Sequence, residues 1–149
     1  MSRFPDFATE GVDTRELRAK APLFVVVWQP GCPTCRYAMP YYQRLQDKYP
    51  EAAVVGVSQD DAATTEAYCR DNGLTFPQVG AGLEVSRLFK PRTVPTYVLT
   101  DDSGEEVLSG EAWNLDDLNL AAKYIGEAVG EDRGPVVGSS EDVLRFKPG

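Results

Sequence analysis

The sequence predicts an α/β domain in which a central mixed β-sheet is flanked by helices. The first observation is an unbroken apolar run, residues 23–28 (LFVVVW). It is rich in β-branched and aromatic residues and too short to span a membrane, which is typical of a strand buried on both faces. The second is a helical pattern followed by another buried run at 53–57, completing a β-α-β unit. The third is a strand, turn and strand ahead of an amphipathic helix at 115–129.

The N-terminal half contains two predicted helices on either side of the first strand. Asp13 followed three residues later by Glu16 resembles a capping box and predicts a short helix that ends near Lys20. The second helix is predicted over 32–49. Pro40 lies inside it, removes a backbone donor and clashes with the preceding turn, so we expect a kink there.

The second half alternates helices and strands. A helix is predicted over 62–72 and ends at Gly73, because glycine readily adopts a left-handed conformation. A short amphipathic helix is predicted over 83–89. The strand predicted at 96–100 is followed by a polar turn and by its antiparallel partner at 105–109, so the two form a hairpin.

The composition changes after the last helix. Residues 1–130 carry the strand and helix patterns and form the predicted domain, whereas residues 131–149 are rich in Gly, Pro, Ser and charged side chains and are predicted to be irregular. Val143, Leu144 and Phe146 are the apolar side chains through which this extension could dock on the domain.

Composition and charge exclude several classes of function. A chain of 149 residues with 42% hydrophobic residues has the size and the apolar content of a single domain with its own core. A net charge of −8 argues against nucleic acid or an anionic membrane as the main partner, and we expect a monomer. The N-terminus shows no apolar leader pattern, so we expect a cytoplasmic protein in which a Cys-x-x-Cys pair is kept mostly reduced.

Cys32-Pro33-Thr34-Cys35 lies where the first strand ends and the following helix begins. Unpaired backbone N–H groups and the positive end of the helix dipole favour an anion there, so the Cys32 thiol should lose its proton more readily than a free cysteine. Pro33 suits the first helical position. The spacing predicts that Cys32 is the exposed nucleophile and that Cys35, one turn further on, resolves a mixed disulfide.

A zinc site is the first alternative for the cysteine pair. The sequence has no histidine and only one further cysteine, Cys69, so a tetrahedral site of nitrogen and sulfur ligands would lack a ligand. We therefore expect a redox pair, no metal and no organic cofactor. Cys69 lies in a predicted helix and is expected to be an inert packed thiol, with a regulatory or third redox thiol as the alternative.

Two motifs together resemble a known family. Residues 24–35 (FVVVWQPGCPTC) are followed by Pro40, and residues 93–99 read TVPTYVL. This combination resembles the thioredoxin-like superfamily and, within it, the TlpA/ResA-like thiol-disulfide oxidoreductases, over about residues 20–130. The resemblance implies a thioredoxin-like fold with an α-β-α insertion at about 59–92.

The resemblance also implies the substrate-facing residues. In this family the tryptophan before the first cysteine, here Trp28, borders the active site, although packing in the core is an equally good reading of a buried strand residue. Pro95 directly precedes strand-forming residues and donates no ladder hydrogen bond, which indicates a turn or a cis bond. The family implies a cis proline that faces the cysteines and leaves the Val94 backbone free to pair with substrate. With Pro33 and Thr34, these residues form the expected substrate-binding set.

The sequence departs from the family at two proton acceptors. Val26 stands where thioredoxins carry a buried acid, and Ala38 stands where ResA-like proteins carry a glutamate. Deprotonation of Cys35 is therefore expected to depend on the helix terminus, on water or on a carboxylate such as Asp60 or Asp61.

The predicted function is thiol-disulfide exchange with protein or small-molecule disulfides, regenerated by an external thiol reductant. One alternative is a thioredoxin-like binding or redox-sensing module without efficient turnover, which the missing acids favour. A thiol peroxidase is another, because peroxiredoxins share the fold. Their signature PxxxTxxC fails here, since Pro30 and Thr34 are followed by Tyr37 where the cysteine should stand.

Overall fold

The structure, a computed structural model, describes residues 2–9 and 11–149. Its helices and strands alternate along most of the chain, as the sequence predicts. In chain order they are β1 (Ala8–Thr9), β2 (Val12–Asp13), α1 (Thr14–Lys20), β3 (Leu23–Trp28), α2 (Pro33–Lys48), β4 (Ala53–Ser58), α3 (Ala62–Asp71), α4 (Gly82–Ser86), which continues as a 3₁₀ turn (Arg87–Phe89), β5 (Thr96–Thr100), β6 (Glu106–Glu111), β7 (Trp113–Asn114), α5 (Leu115–Val129) and β8 (Phe146–Lys147).

A four-stranded mixed sheet with the order β4-β3-β5-β6 forms the centre of the molecule. β3 runs parallel to β4, with Val25 opposite Val55, and antiparallel to β5, with Val25 opposite Val98. β5 and β6 form the antiparallel hairpin. Because β3 is paired on both edges and covered on both faces, all six of its residues are buried, and the predicted mixed sheet is confirmed.

The two faces of β3 contribute to two hydrophobic clusters. Phe24, Val26 and Trp28 pack with residues of α2 and α5 on one face. Leu23 and the two valines between these positions pack on the other face, with residues from the N-terminal segment, α1 and α4. This alternation follows from the two-residue period of a strand. α2, whose first turn carries Cys35, packs on the face formed by Phe24, Val26 and Trp28.

Most predicted boundaries agree with the structure within one or two residues. The predicted helix at 83–89 is an α-helical turn that tightens into a 3₁₀ turn. The strand predicted at 105–109 instead runs from Glu106 to Glu111. α2 continues through Pro40 as one helix. Between β4 and β5 the chain forms α3, a single parallel bridge from Gln78 to Gly56, and α4. The TlpA-type insertion at 59–92 stays a prediction.

Within the described residues, side-chain caps begin α1, α2, α3 and α5, and two of the capping residues, Asp13 and Asn114, also end short strands. The Asp13 carboxylate accepts from the Arg15 N–H at 3.0 Å, and the Asn114 side chain accepts from the Asp117 N–H at 3.0 Å, as expected for residues that satisfy free donors. Gly73 has a φ of +67° just after α3. The longest helices are α2 and α5, with 16 and 15 residues, and within the described part of the chain no helix is both long and apolar enough to cross a bilayer.

The segment 131–149 returns across the domain and is docked along α2 and α5. Arg133 forms an ion pair with Glu51 at 2.5 Å and donates to the Lys48 carbonyl at 2.8 Å. Val136 and Val137 are buried in the cluster under α2 and α5. The end of the segment is not irregular, because β8 pairs antiparallel with β7.

The residues that dock this segment differ from those expected. Val143 is partly buried and packs against the core, as predicted. Leu144 and Phe146 are 51% and 57% exposed, so the expectation that their side chains dock was wrong. Their backbone is held by hydrogen bonds and strand pairing instead, which leaves the side chains free to face solvent.

Truncation of Ile125 should destabilise the fold, because this α5 side chain is 1% exposed and its removal leaves a cavity. Ile125→Ala is expected to lower the free energy of unfolding by about 2–5 kcal/mol. The matched control is Leu120→Ala on the same helix, where the side chain is 55% exposed and the change should stay within about 0.5 kcal/mol. Urea unfolding followed by circular dichroism measures both, and equal losses would contradict the packing described.

Candidate active site

Cys32 is the N-cap of α2, directly after the loop that ends β3. Its backbone is extended, with φ −85° and ψ 119°, and its sulfur accepts a hydrogen bond from the Cys35 backbone N–H at 3.3 Å. The Cys32 N–H is itself bonded to the Gln29 carbonyl at 3.2 Å, which ties the cap to the end of the strand. A sulfur that receives a backbone donor at the start of a 16-residue helix is in a position that stabilises negative charge.

Cys35 differs from Cys32 in its exposure. The Cys35 side chain is fully buried, whereas Cys32 is partly exposed, and both thiols are free. Burial raises the pKa of the Cys35 thiol, and a hydrogen bond from the Gln29 backbone opposes that shift. One sulfur is therefore open to a reaction partner while the other is a protonated thiol one turn deeper, which is the asymmetry predicted from the motif.

The loop before β5 faces the Cys32 sulfur. The Val94 carbonyl lies 3.5 Å from Cys32 Sγ and accepts its hydrogen bond, and the peptide bond between Val94 and Pro95 is cis. The Pro95 carbonyl accepts from the Ala112 N–H at 2.8 Å, which fixes the loop to the end of β6. The structure thus brings together the two predicted motifs, which are about 60 residues apart in sequence.

The other predicted site residues lie around this contact at different depths. Pro33 is exposed beside Cys32, while Thr34 is only 4% exposed, and its hydroxyl donates to the Pro148 carbonyl. Trp28 has no exposed surface, and its indole N–H donates to Gln78 Oε1 at 3.0 Å. Of the two roles weighed for Trp28, the structure shows packing beneath the site.

Pro148 is the neighbour of the site that the sequence did not predict. Thr34 and Pro148 are 114 residues apart, and the extension from 131 onwards carries no motif that points to the cysteines. The apolar residues near the end of the extension indicated that it docks on the domain, but they did not indicate which part of the domain it contacts. The place of contact follows from the strand pairing of β8, which a local sequence pattern does not predict.

The family of the chain follows from a comparison of its sequence with known families. A family model described as AhpC/TSA family matches residues 2–105, well over half of the chain. The chain belongs to the AhpC/TSA family. The match includes β3, both cysteines and the loop with the cis proline, whereas Pro148 lies outside it.

Individual relatives have the same fold. This AhpC/TSA protein is 32% identical over 106 residues to the thiol-disulfide oxidoreductase ResA of Halalkalibacterium halodurans, an alignment that covers 68% of the chain but 60% of that relative. It resembles a thiol:disulfide interchange protein of the thioredoxin family from Chlorobium tepidum with a TM-score of 0.70 at 21% identity, covering 87% and 97% of the two chains. For StoA from Bacillus subtilis the TM-score is 0.59 at 23% identity, covering 74% and 87%. The thioredoxin-like fold is confirmed.

The positions of the missing acids are apolar in this AhpC/TSA protein. Val26 and Ala38 are both fully buried. Of the two candidate carboxylates, Asp61 caps α3: its carboxylate accepts from the Thr64 N–H at 2.7 Å and from the Thr64 hydroxyl at 3.0 Å, which lowers its pKa. Asp60 accepts from the Asp61 N–H. A carboxylate with a lowered pKa is a weak base, which argues against Asp61 as the acceptor of the Cys35 proton.

Cys69 lies in α3 and is 8% exposed, within the same cluster as Trp28. Burial raises the pKa of its thiol, so it stays protonated and unreactive near neutral pH. This supports the expected inert thiol. Over residues 2–9 and 11–149, no three His, Cys, Asp or Glu side chains are arranged to hold a metal ion.

Alkylation should distinguish the three thiols. With iodoacetamide near pH 8, Cys32 is expected to react at least about tenfold faster than Cys35 and Cys69, because it alone is partly exposed and the other two have raised pKa values. Peptide mass spectrometry after timed quenching measures the three rates, and the denatured protein, in which the rates should converge, is the control. Similar rates in the folded protein would refute the assignment of Cys32 as the reactive sulfur.

Proposed function

We propose that this protein catalyses thiol-disulfide exchange, with Cys32 as the nucleophile and Cys35 as the resolving thiol. The observation that carries the proposal is the arrangement of the two sulfurs: Cys32 Sγ is accessible and accepts the Cys35 N–H at 3.3 Å, while the Cys35 thiol is buried behind it. The name of the ResA relative, a thiol-disulfide oxidoreductase, supports the same chemistry. The chain spans about 60% of that relative's length.

In the first step the Cys32 thiolate attacks one sulfur of a substrate disulfide. A bond forms between Cys32 Sγ and that sulfur, the substrate S–S bond breaks, and the second substrate sulfur leaves as a thiolate that takes up a proton. The backbone N–H of Cys35 stabilises the Cys32 thiolate before the attack. The Val94 carbonyl, which accepts from the Cys32 thiol, borders the approach to the sulfur.

In the second step Cys35 loses its proton and attacks Cys32 Sγ. The mixed disulfide breaks, the remaining substrate sulfur leaves as a thiol, and a Cys32–Cys35 disulfide forms. The substrate has then gained two electrons and the protein has lost two, so an external thiol reductant must restore the dithiol. The substrates we propose are protein or small-molecule disulfides, and the reverse direction uses the same sulfurs.

A redox-sensing module is the second candidate, and one observation favours it. Buried Val26 and Ala38 provide no proton acceptor beside the fully buried Cys35 thiol, whose pKa is raised. Slow resolution would leave a protein that changes oxidation state without efficient turnover. The two candidates differ in the rate of catalysis and not in which sulfurs react.

Reduction of insulin disulfides by dithiothreitol tests the enzymatic proposal. The wild-type protein is expected to accelerate the reaction, followed as turbidity, and Cys32→Ser should reduce the rate to the uncatalysed background because the nucleophile is lost. Cys69→Ser is the matched control, since it removes a buried thiol outside the site, and it should keep most of the wild-type rate. Equal rates for wild type and Cys32→Ser would favour the sensing module.

The pH dependence of resolution tests the role of Cys35. In the Cys69→Ser background, Ellman's reagent forms a mixed disulfide on Cys32, and attack by Cys35 then releases a second coloured thiolate. Because the pKa of Cys35 is raised by burial, its thiolate fraction should rise about tenfold per pH unit between about pH 6 and 8, and the release rate with it.

The control for this measurement is Cys35→Ser, in which the mixed disulfide should persist at every pH because no second thiolate can attack it. A release rate that does not change with pH in the protein that retains Cys35 would contradict a buried, protonated resolving thiol.

A further inference from the structure

The end of segment 131–149 lies on the active site. The Leu144 backbone is held from both sides: its N–H donates to the Tyr37 hydroxyl at 2.9 Å, and its carbonyl accepts from the Trp113 indole N–H at 2.6 Å. The Arg145 carbonyl then accepts from the Leu115 N–H at 2.9 Å. These three contacts direct the chain from α5 towards the N-terminal end of α2.

The next four residues, 146–149, continue to the cysteines, and we call them the closing segment. Phe146 and Lys147 pair with β7 as a two-residue antiparallel ribbon. The Pro148 carbonyl accepts from the Thr34 hydroxyl, between the two cysteines in sequence. Gly149 is so close to the loop before β5 that an added Cβ would lie 2.5 Å from the Val94 carbonyl oxygen.

The closing segment is therefore bonded to Thr34 and lies beside the Val94 carbonyl. Thr34 follows Cys32 by two residues, and the Val94 carbonyl is the group that Cys32 Sγ contacts at 3.5 Å. Cys32 itself keeps part of its surface with this segment in place. A small disulfide needs only the open side of one sulfur. A protein disulfide would also bring polypeptide on both sides of that sulfur, towards the positions that the closing segment occupies at Thr34 and Val94.

We propose that the closing segment determines which disulfides the site accepts: it occupies the path of a polypeptide substrate and must be displaced by one, while small disulfides react with it in place. This inference rests on the proposed thiol-disulfide exchange and adds its substrate selection. Displacement costs binding free energy. The apparent affinity for a protein disulfide is therefore the affinity of the open site multiplied by the fraction of molecules in which the segment is released.

The contacts of the closing segment suit reversible release. Phe146 is 57% exposed, so the segment buries little apolar surface. In the ion pair between the neighbouring Arg145 and Asp116 both side chains are exposed to solvent, so the pair contributes little stability. By contrast, Val136 and Val137 upstream are buried. The segment can leave the site while the chain before it stays docked, and an incoming extended peptide can replace its pairing with β7.

The first test compares two disulfide substrates with and without residues 146–149. Removing the closing segment is expected to raise kcat/KM for insulin by about fivefold or more and to change kcat/KM for hydroxyethyl disulfide by less than about twofold. An equal rise with both substrates, or no change with insulin, would overturn the proposal.

A point variant tests the same contact without removing any residue. Gly149→Ala places a methyl group against both the Thr93 hydroxyl and the Val94 carbonyl and should shift the substrate preference in the same direction, by about twofold. Gly138→Ala is the matched control, since an added Cβ there lies 3.9 Å from its nearest neighbour in the same docked extension. An equal shift in both variants would assign the effect to the extension in general and contradict the contact at Val94.

Alkylation separates a failure of this inference from a failure of the proposed function. In the Cys35→Ser/Cys69→Ser background, Cys32 is the remaining thiol, and its accessibility is measured without catalysis. Removing residues 146–149 should raise the rate at which Cys32 is alkylated by a maleimide joined to a large polyethylene glycol by about fivefold or more. The rate of alkylation by N-ethylmaleimide should rise by less than about twofold.

If this size dependence is found in a protein that does not accelerate insulin reduction, the closing segment does cover the site, and it is the enzymatic proposal that fails. If removal leaves the ratio of the two alkylation rates unchanged, the segment does not cover the site, whatever the catalytic rate.

Discussion

The hydrogen bond from the Cys35 backbone N–H to the Cys32 sulfur is the interaction on which the site depends. It exists because β3 ends at Trp28 and α2 begins at Pro33, so that Cys32 is the last extended residue before the helix. A proline at the first helical position sacrifices no hydrogen bond there, and the donors of the first turn remain available for a sulfur. The same turn buries Cys35, so one local structure produces both the reactive thiol and the protected one.

This local structure was predictable because its determinants are close together in the sequence. Six apolar residues followed by Gln-Pro-Gly are typical of a buried strand and its end, and Cys-Pro-Thr-Cys with a helical pattern behind it indicates the cap. The proline directly before β5 indicated a special backbone geometry in the partner loop, and the position of that loop against the cysteines was implied by the family resemblance. The caps at Asp13 and Asn114 follow from the same kind of short-range chemistry.

The course of the chain after α5 was not predictable in the same way. Its docking depends on contacts between distant residues, such as Arg133 with Glu51 and Asn119 with the Val136 N–H. The apolar side chains that suggested docking, Leu144 and Phe146, face solvent, since backbone hydrogen bonds and not side-chain burial hold that part of the chain. A hydrophobic pattern is informative about side chains that are buried, and it contains no information on segments held by their main chain.

The intrinsic fluorescence of Trp113 is sensitive to the docking of the C-terminal extension. Its indole is fully buried against the rings of Tyr37 and Tyr41 on α2, and its N–H is bonded to the Leu144 carbonyl. Loss of that bond would change the polarity around the indole and shift its emission, while the other tryptophan, Trp28, is held by Gln78 on a different part of the core and serves as a reference. Intrinsic fluorescence can therefore show, without a label, whether the chain at Leu144 stays docked or is released.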